Sequence, residues 1–149
     1  MRLYLCIFDE AGDDICGVEV GLYQYFGDFR DTVAQYTKKG LISRFIKPDR
    51  KIFSSKMPTL LNHSDCDGSW SVQDCKLLKA ELEEIKQVFC EEPPSAKIIA
   101  SKQDIFQFFG ITPKNLFECF VDSDCEFLID RLIELCDLAT EKNRPIMFQ

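Results

Sequence analysis

Apolar side chains recur along the chain with two different periods, and the changes of period mark the elements. Arg2 to Phe8 is a compact apolar run with alternation, which predicts a strand. Asp9 to Asp14 is a polar turn in which Gly12 can take a positive φ, and Cys16 to Val20 predicts the returning strand of a β-hairpin. From Tyr23 to Lys39 the period becomes helical. Phe26, Phe29, Val33 and Tyr36 recur at spacings of 3, 4 and 3, Lys38 and Lys39 fall in the last turn, and Gly40 follows as a stop. Ser71 to Cys90 carries the clearest helical stripe: Cys75, Leu78, Leu82, Ile85 and Phe89. Ser71 with Asp74 forms a capping box with Asp in place of the usual Glu, and Pro93-Pro94 ends the helix.

A third helix is expected up to about Lys142, with Leu128, Leu132, Leu135 and Ala139 on its apolar face and Ser123 with Glu126 as its capping pair. Thr59 to Asn62, Leu116 to Val121 and Pro145 to Phe148 predict short strands. Lys97 to Asn115 has the character of an inserted element. In it Ser101 and Asp104 cap a short helix that ends at Gly110, with Pro113 closing it. The sum is an α+β fold: a small, mainly antiparallel sheet, made of the N-terminal hairpin plus later strands, packed by about three amphipathic helices. At 149 residues the chain has the length of a single domain, 1–149.

Charge sharpens the picture. The formal net charge is −7, distributed as −5 over residues 1–37, +6 over 38–58 and −8 over 59–149. An acidic surface interrupted by one basic segment is a poor match for a phosphate backbone and a good match for a basic protein surface. No apolar run approaches the roughly 18–20 residues of a membrane span, and MRLYLCIF turns acidic too quickly for a signal peptide. The expected location is therefore cytoplasmic. In that compartment the eight cysteines are expected to be reduced; Cys75, Cys119 and Cys136 already fall where the pattern calls for a small apolar residue.

The densest polar cluster runs from His63 to Ser71. Set against a calcium loop, His63, Asp65 and Asp67 take positions one, three and five, Gly68 position six and Asp74 position twelve. His63 then replaces an Asp, and Asp74 replaces the bidentate Glu. His63, Cys66 and Cys75 lack a fourth ligand at zinc spacing. A Cys66–His63 nucleophile pair lacks a third group and an oxyanion hole. No metal, cofactor or catalytic residue is therefore expected; a turn followed by a helix cap accounts for the segment. Gly12, Gly17 and Gly21 do not form a phosphate loop. A second acidic group, Glu118, Asp122, Asp124 and Glu126, brackets the start of the third helix, where carboxylates suit the helix dipole.

Several strings together resemble the bacterial polymorphic-toxin immunity proteins of the immunity protein 70 family. These are LYLCIFDE, GVEVGLYQYFGDFRD, PTLLNHSDCDGSWS and CFVDSDCEFLIDRLIELC with the terminal RPIMFQ; variable stretches remain near 41–57 and 91–115. HSDCDGSWS and PIMFQ are the most specific, and Cys125 departs from the glycine expected after the Asp. The resemblance implies an α+β fold and a non-enzymatic task, the neutralising of a cognate toxin domain by occlusion of its active or essential surface. The candidate contact face is Asp65, Asp67, Trp70, Glu118, Asp122 and Asp124, with carboxylates that steer toward a basic toxin, such as a nuclease, and Trp70 as the anchor. Trp70 has an equal reading as a helix staple packed on Cys75. Two other functions stay open on the residues alone: a small hydrolase or metal-dependent enzyme centred on His63, and a general interaction adaptor.

Overall fold

Alternation at the N-terminus produces the hairpin it predicts. In a computed structural model, which describes residues 1–37, 52–64 and 67–149, β1 spans Arg2–Phe8 and β2 spans Asp14–Leu22. Leu3, Leu5 and Ile7 of β1 and Val18 and Val20 of β2 enter the main core. The register slips by one residue near the end of β2: Leu3 pairs with Gly21 but Tyr4 pairs with Glu19, leaving Val20 unpaired. Gly21 sits at this bulge with φ 101°, a value that strains any residue with a side chain.

The chain then forms α1 (Tyr23–Gln35), α2 (Pro58–Leu61), β3 (Ser69–Trp70), α3 (Val72–Phe89), α4 (Ala96–Ser101), α5 (Gln103–Phe109), α6 (Leu128–Lys142) and β4 (Ile146–Phe148). β4 pairs antiparallel with both β1 and β3, so the sheet is fully antiparallel in the order β2-β1-β4-β3. The fold is α+β, as expected, with the N-terminal hairpin at one edge of its sheet. Lys38, Lys39 and Gly40, the expected end of the first helix, lie outside the described residues; α1 ends at Gln35.

The capping box of α3 is present in both halves. Ser71 Oγ accepts from the Asp74 N–H at 3.0 Å, and the Asp74 carboxylate accepts from the Ser71 N–H at 3.1 Å. α3 packs along α6, tied by Lys79–Asp137 and Lys86–Asp130 at 2.6 Å each. Where the two stripes meet the sheet, Phe26, Phe29, Trp70, Phe89, Phe120 and Phe148 form a chain of aromatic contacts, including Phe29–Phe120 at 5.2 Å and Trp70–Phe148 at 4.7 Å.

Four expectations are corrected. Thr59–Asn62 is not a strand: Pro58 begins the short helix α2, whose first N–H groups, on Thr59 and Leu60, are taken by the buried Glu81 carboxylate of α3. Leu116–Val121 is not a strand either, because Phe117–Cys119 closes into a 3-10 turn. Only Val121 bridges, to Phe127. Ser123 and Glu126 do not cap α6, whose N-cap is Phe127. In the inserted element Ser101 and Asp104 cap nothing: Ser95 caps α4 through the Ile98 N–H, the chain breaks at Lys102, and α5 ends at Gly110 in the left-handed region.

Candidate functional site

The turn from Asp122 to Glu126 is built around one carboxylate. Asp122 is 2% exposed. Its Oδ1 accepts from the N–H groups of Asp124 and Glu126, both at 2.9 Å, and its Oδ2 accepts from Arg131 Nε at 3.3 Å. The backbone adds Cys125 N–H to Asp122 O at 3.0 Å and Asp122 N–H to Glu126 O at 2.9 Å. With Asp122 turned inward as the keystone, Asp124 and Glu126 are left exposed. This explains the failed cap: the N–H groups that Ser123 would have served are already committed to an Asx-type turn.

Cys125 takes φ 61° in this turn, the left-handed region in which glycine carries no steric cost. The glycine expected at this position therefore matches the backbone. The cysteine uses its side chain instead, buried against Phe106 and Val121 in a small second core that draws in Ile99, Ile105, Ile111 and Phe127. Burial first, and the Asp122 charge second, push its thiol pKa up, so it sits there as a small apolar group.

Sheet-edge contacts fix the turn in place. Ser123 N–H donates to Glu19 O of β2 at 2.8 Å, Arg2 Nη2 donates to Ser123 Oγ at 3.0 Å, and Arg131 Nη2 reaches Gly17 O at 3.5 Å. The outer edge of β2 is thereby partly covered. Burial works against the Arg131 charge, but the fields of Asp122 and Glu134 outweigh it and hold the guanidinium pKa above its ordinary value.

Behind the turn lies Lys102, only 1% exposed. Its ammonium stands 4.8 Å from the Tyr25 ring centre and 5.7 Å from that of Phe120, and donates a long hydrogen bond of 3.4 Å to Val121 O. Burial pulls its pKa down to about 8, opposed only in part by the fields of Asp28, Cys119, Cys125 and Asp122.

Residues of the expected contact face lie at two different edges of the sheet. Asp67 lies beside β3, at one edge of the sheet, whereas the Asp122–Glu126 turn is bonded to β2 at the other. Three strand spacings, about 14 Å, separate those edges. Trp70 is 1% exposed, packed against Phe26, His63 and Phe148, with its indole N–H donating to Thr59 O at 3.3 Å. Cys75 Sγ points to the Trp70 carbonyl at 3.8 Å, so the core reading of Trp70 describes its position and the surface anchor does not. Glu118 is half-buried and accepts from the Lys114 N–H. Asp65 lies outside the described residues, as does Cys66.

His63 is occupied with holding its own loop. Its ring stacks on Phe148 at 4.5 Å, its Nδ1 lies 2.6 Å from Ser64 O, and its Nε2 lies 2.9 Å from Ser69 O. Arg30 Nη2 braces the same loop by donating to Leu61 O and His63 O at 2.7 Å each. Among the described residues no group of three or more His, Cys, Asp or Glu side chains is placed to hold a metal ion. Among the described residues seven cysteines, Cys6, Cys16, Cys75, Cys90, Cys119, Cys125 and Cys136, are free thiols. No helix among the described residues is long and apolar enough to cross a membrane.

The fold, the acidic turn and the buried Trp70 loop lie within the span that matches the family model of immunity protein 70, residues 3–148. The chain belongs to the immunity protein 70 family. Its family implies a cognate toxin as partner. No curated protein matches the chain, and no solved structure does.

One exposed feature of this immunity protein was missed by the pattern of the sequence. Phe108 and Phe109 at the end of α5 are 83% and 45% exposed and meet edge-on at 5.0 Å. A usable signal was present: Phe106, Phe108 and Phe109 point in three directions around a helix too short to bury more than one of them.

Proposed function

We propose that the chain neutralises its cognate toxin domain by covering an active or essential surface, and that Asp124 and Glu126 steer the encounter. The observation carrying this reading is the preorganised acidic turn. A buried carboxylate holds its backbone, so two further carboxylates stand exposed at a fixed edge of the sheet. Family membership supplies the class of partner, and the net charge of −7 supplies the sign of the surface it suits. A basic substrate groove, of the kind a nuclease carries, is the complementary surface, met in the cytoplasm.

Charges at the rim of an interface act on encounter more than on the final contact. The variant Asp124→Asn/Glu126→Gln is therefore expected to associate with the cognate toxin domain about tenfold more slowly at low salt, with a flatter dependence on ionic strength. Its dissociation rate should change little. Stopped-flow association at two salt concentrations measures this. A folded variant that associates at the wild-type rate in low salt would sink the steering role of the turn.

A further inference from the structure

We propose that the Phe108–Phe109 knuckle at the end of α5 is the apolar anchor of the toxin interface, entering a cleft with a basic rim on the toxin domain. This rests on the neutralisation reading above and supplies the anchor that Trp70, being buried, does not.

Six large apolar side chains are exposed among the described residues, and Phe108 and Phe109 are the two of them in ring contact with each other. They make no contribution to the core in proportion to their size. Phe106, on the same helix, is the ring that fills the second core. Two adjoining exposed aromatic rings on a short, capped helix form a compact apolar projection, the type of group that dominates binding energy when a partner desolvates it.

Charge decides what covers it. Phe108 follows Asp104 by four residues and Phe109 follows Ile105 by four, so the knuckle continues the helix rows that carry a carboxylate and the contact with the acidic turn. Phe106 and Ile105 pack with Val121, Cys125 and Phe127 of that turn, which places exposed Asp124 and Glu126 on either side of the buried Cys125. Asp104 is the only charged side chain of α5 and is exposed; Lys97 and Lys114 lie outside that helix. The charges that α5 itself carries, and those of the turn it packs beside, are thus acidic. A second copy of this chain would bring like charges together around the rings, whereas a basic rim would pair with Asp104, Asp124 and Glu126. The steering turn and the helix that carries the anchor are joined through the second core.

The test uses the full chain and its cognate toxin domain in a catalytically silenced form. Phe108→Ser/Phe109→Ser is expected to keep the wild-type melting temperature and to weaken the Kd about thirtyfold or more, mainly through faster dissociation. This contrasts with the slower association expected of Asp124→Asn/Glu126→Gln. If the double variant is thermally destabilised, Phe108→Ser alone, at the more exposed ring, is expected to weaken binding about tenfold. An unchanged Kd for whichever variant folds overturns the knuckle. Slowed association in the charge variant alongside that result leaves the acidic turn standing, and absence of wild-type binding overturns both. A wild-type dimer in sedimentation velocity that the double variant abolishes also overturns the proposal, by assigning the knuckle to a second copy.

Discussion

Replacing Lys102 by methionine is expected to stabilise the fold by about 2–3 kcal/mol at pH 7, with a gain that shrinks as the pH rises. The Lys102 pKa falls from the ordinary 10.5 to about 8 on folding, chiefly through burial. Below pH 8 the folded chain holds a charged ammonium out of water, at a cost near 1.4 kcal/mol for each unit of the shift. Between pH 8 and 10.5 the unfolded chain binds the proton and the folded chain does not, so this group's contribution makes wild-type stability rise with pH. Methionine fills a similar volume without the charge, forfeiting only a long hydrogen bond and the contacts with Tyr25 and Phe120. The buried thiols run the other way. Burial pushes Cys6 up to about 11 and raises Cys119 and Cys125, so the fold loses stability as unfolded thiols ionise above about pH 8.5. Those losses are common to both chains and largely cancel in the difference. Urea unfolding of both at pH 7 and pH 10 is the measurement, with a gap under about 1 kcal/mol expected at pH 10. A methionine variant less stable than wild type at pH 7 would mean that the aromatic cage outweighs the cost of burial.

Lys102 also shows where the sequence stopped being informative. Signals carried by neighbours in the chain were legible: the stripe of α3, its Ser71–Asp74 cap, the hairpin, the body of α6. Signals set by distant partners were not. Glu81 caps α2 from more than twenty positions away, and nothing around Pro58 announces it. The mostly apolar run at 116–121, broken only by Glu118, carried no period that separates a strand from a tight turn, and Phe117, Cys119, Phe120 and Val121 are all buried in the turn it forms. At the candidate site the acidic residues were legible as a group, but not which one would turn inward. That depended on Arg131 arriving from α6 and on the edge of β2 accepting Ser123. Trp70 has the composition of an interface anchor. Its burial follows from Phe26 and Phe148, which lie far from it in the chain.

Asp122→Ala is expected to destabilise the fold by about 3 kcal/mol, and Asp122→Asn by about half as much. Alanine leaves two turn N–H groups without an acceptor and the Arg131 guanidinium without its buried partner. Asparagine keeps an oxygen for the two N–H groups and loses only the charge facing Arg131, which is the reason for the smaller effect. Arg131 retains Glu134 and partial exposure, which keeps the alanine cost from being larger. Equilibrium unfolding in urea reads both, and an alanine variant within about 1 kcal/mol of wild type would remove Asp122 as the keystone. The pair also couples to Lys102, since the Asp122 charge is one of the fields that partly offset the burial of that ammonium. Removing Asp122 strips Lys102 of that support, so part of the alanine cost should vanish in the Lys102→Met background. A double-mutant cycle at pH 7 is expected to give a coupling of roughly 0.5–1 kcal/mol. Repeated at pH 10, where most of the Lys102 charge is gone from the folded state, the coupling should collapse while the cost of the two orphaned N–H groups remains.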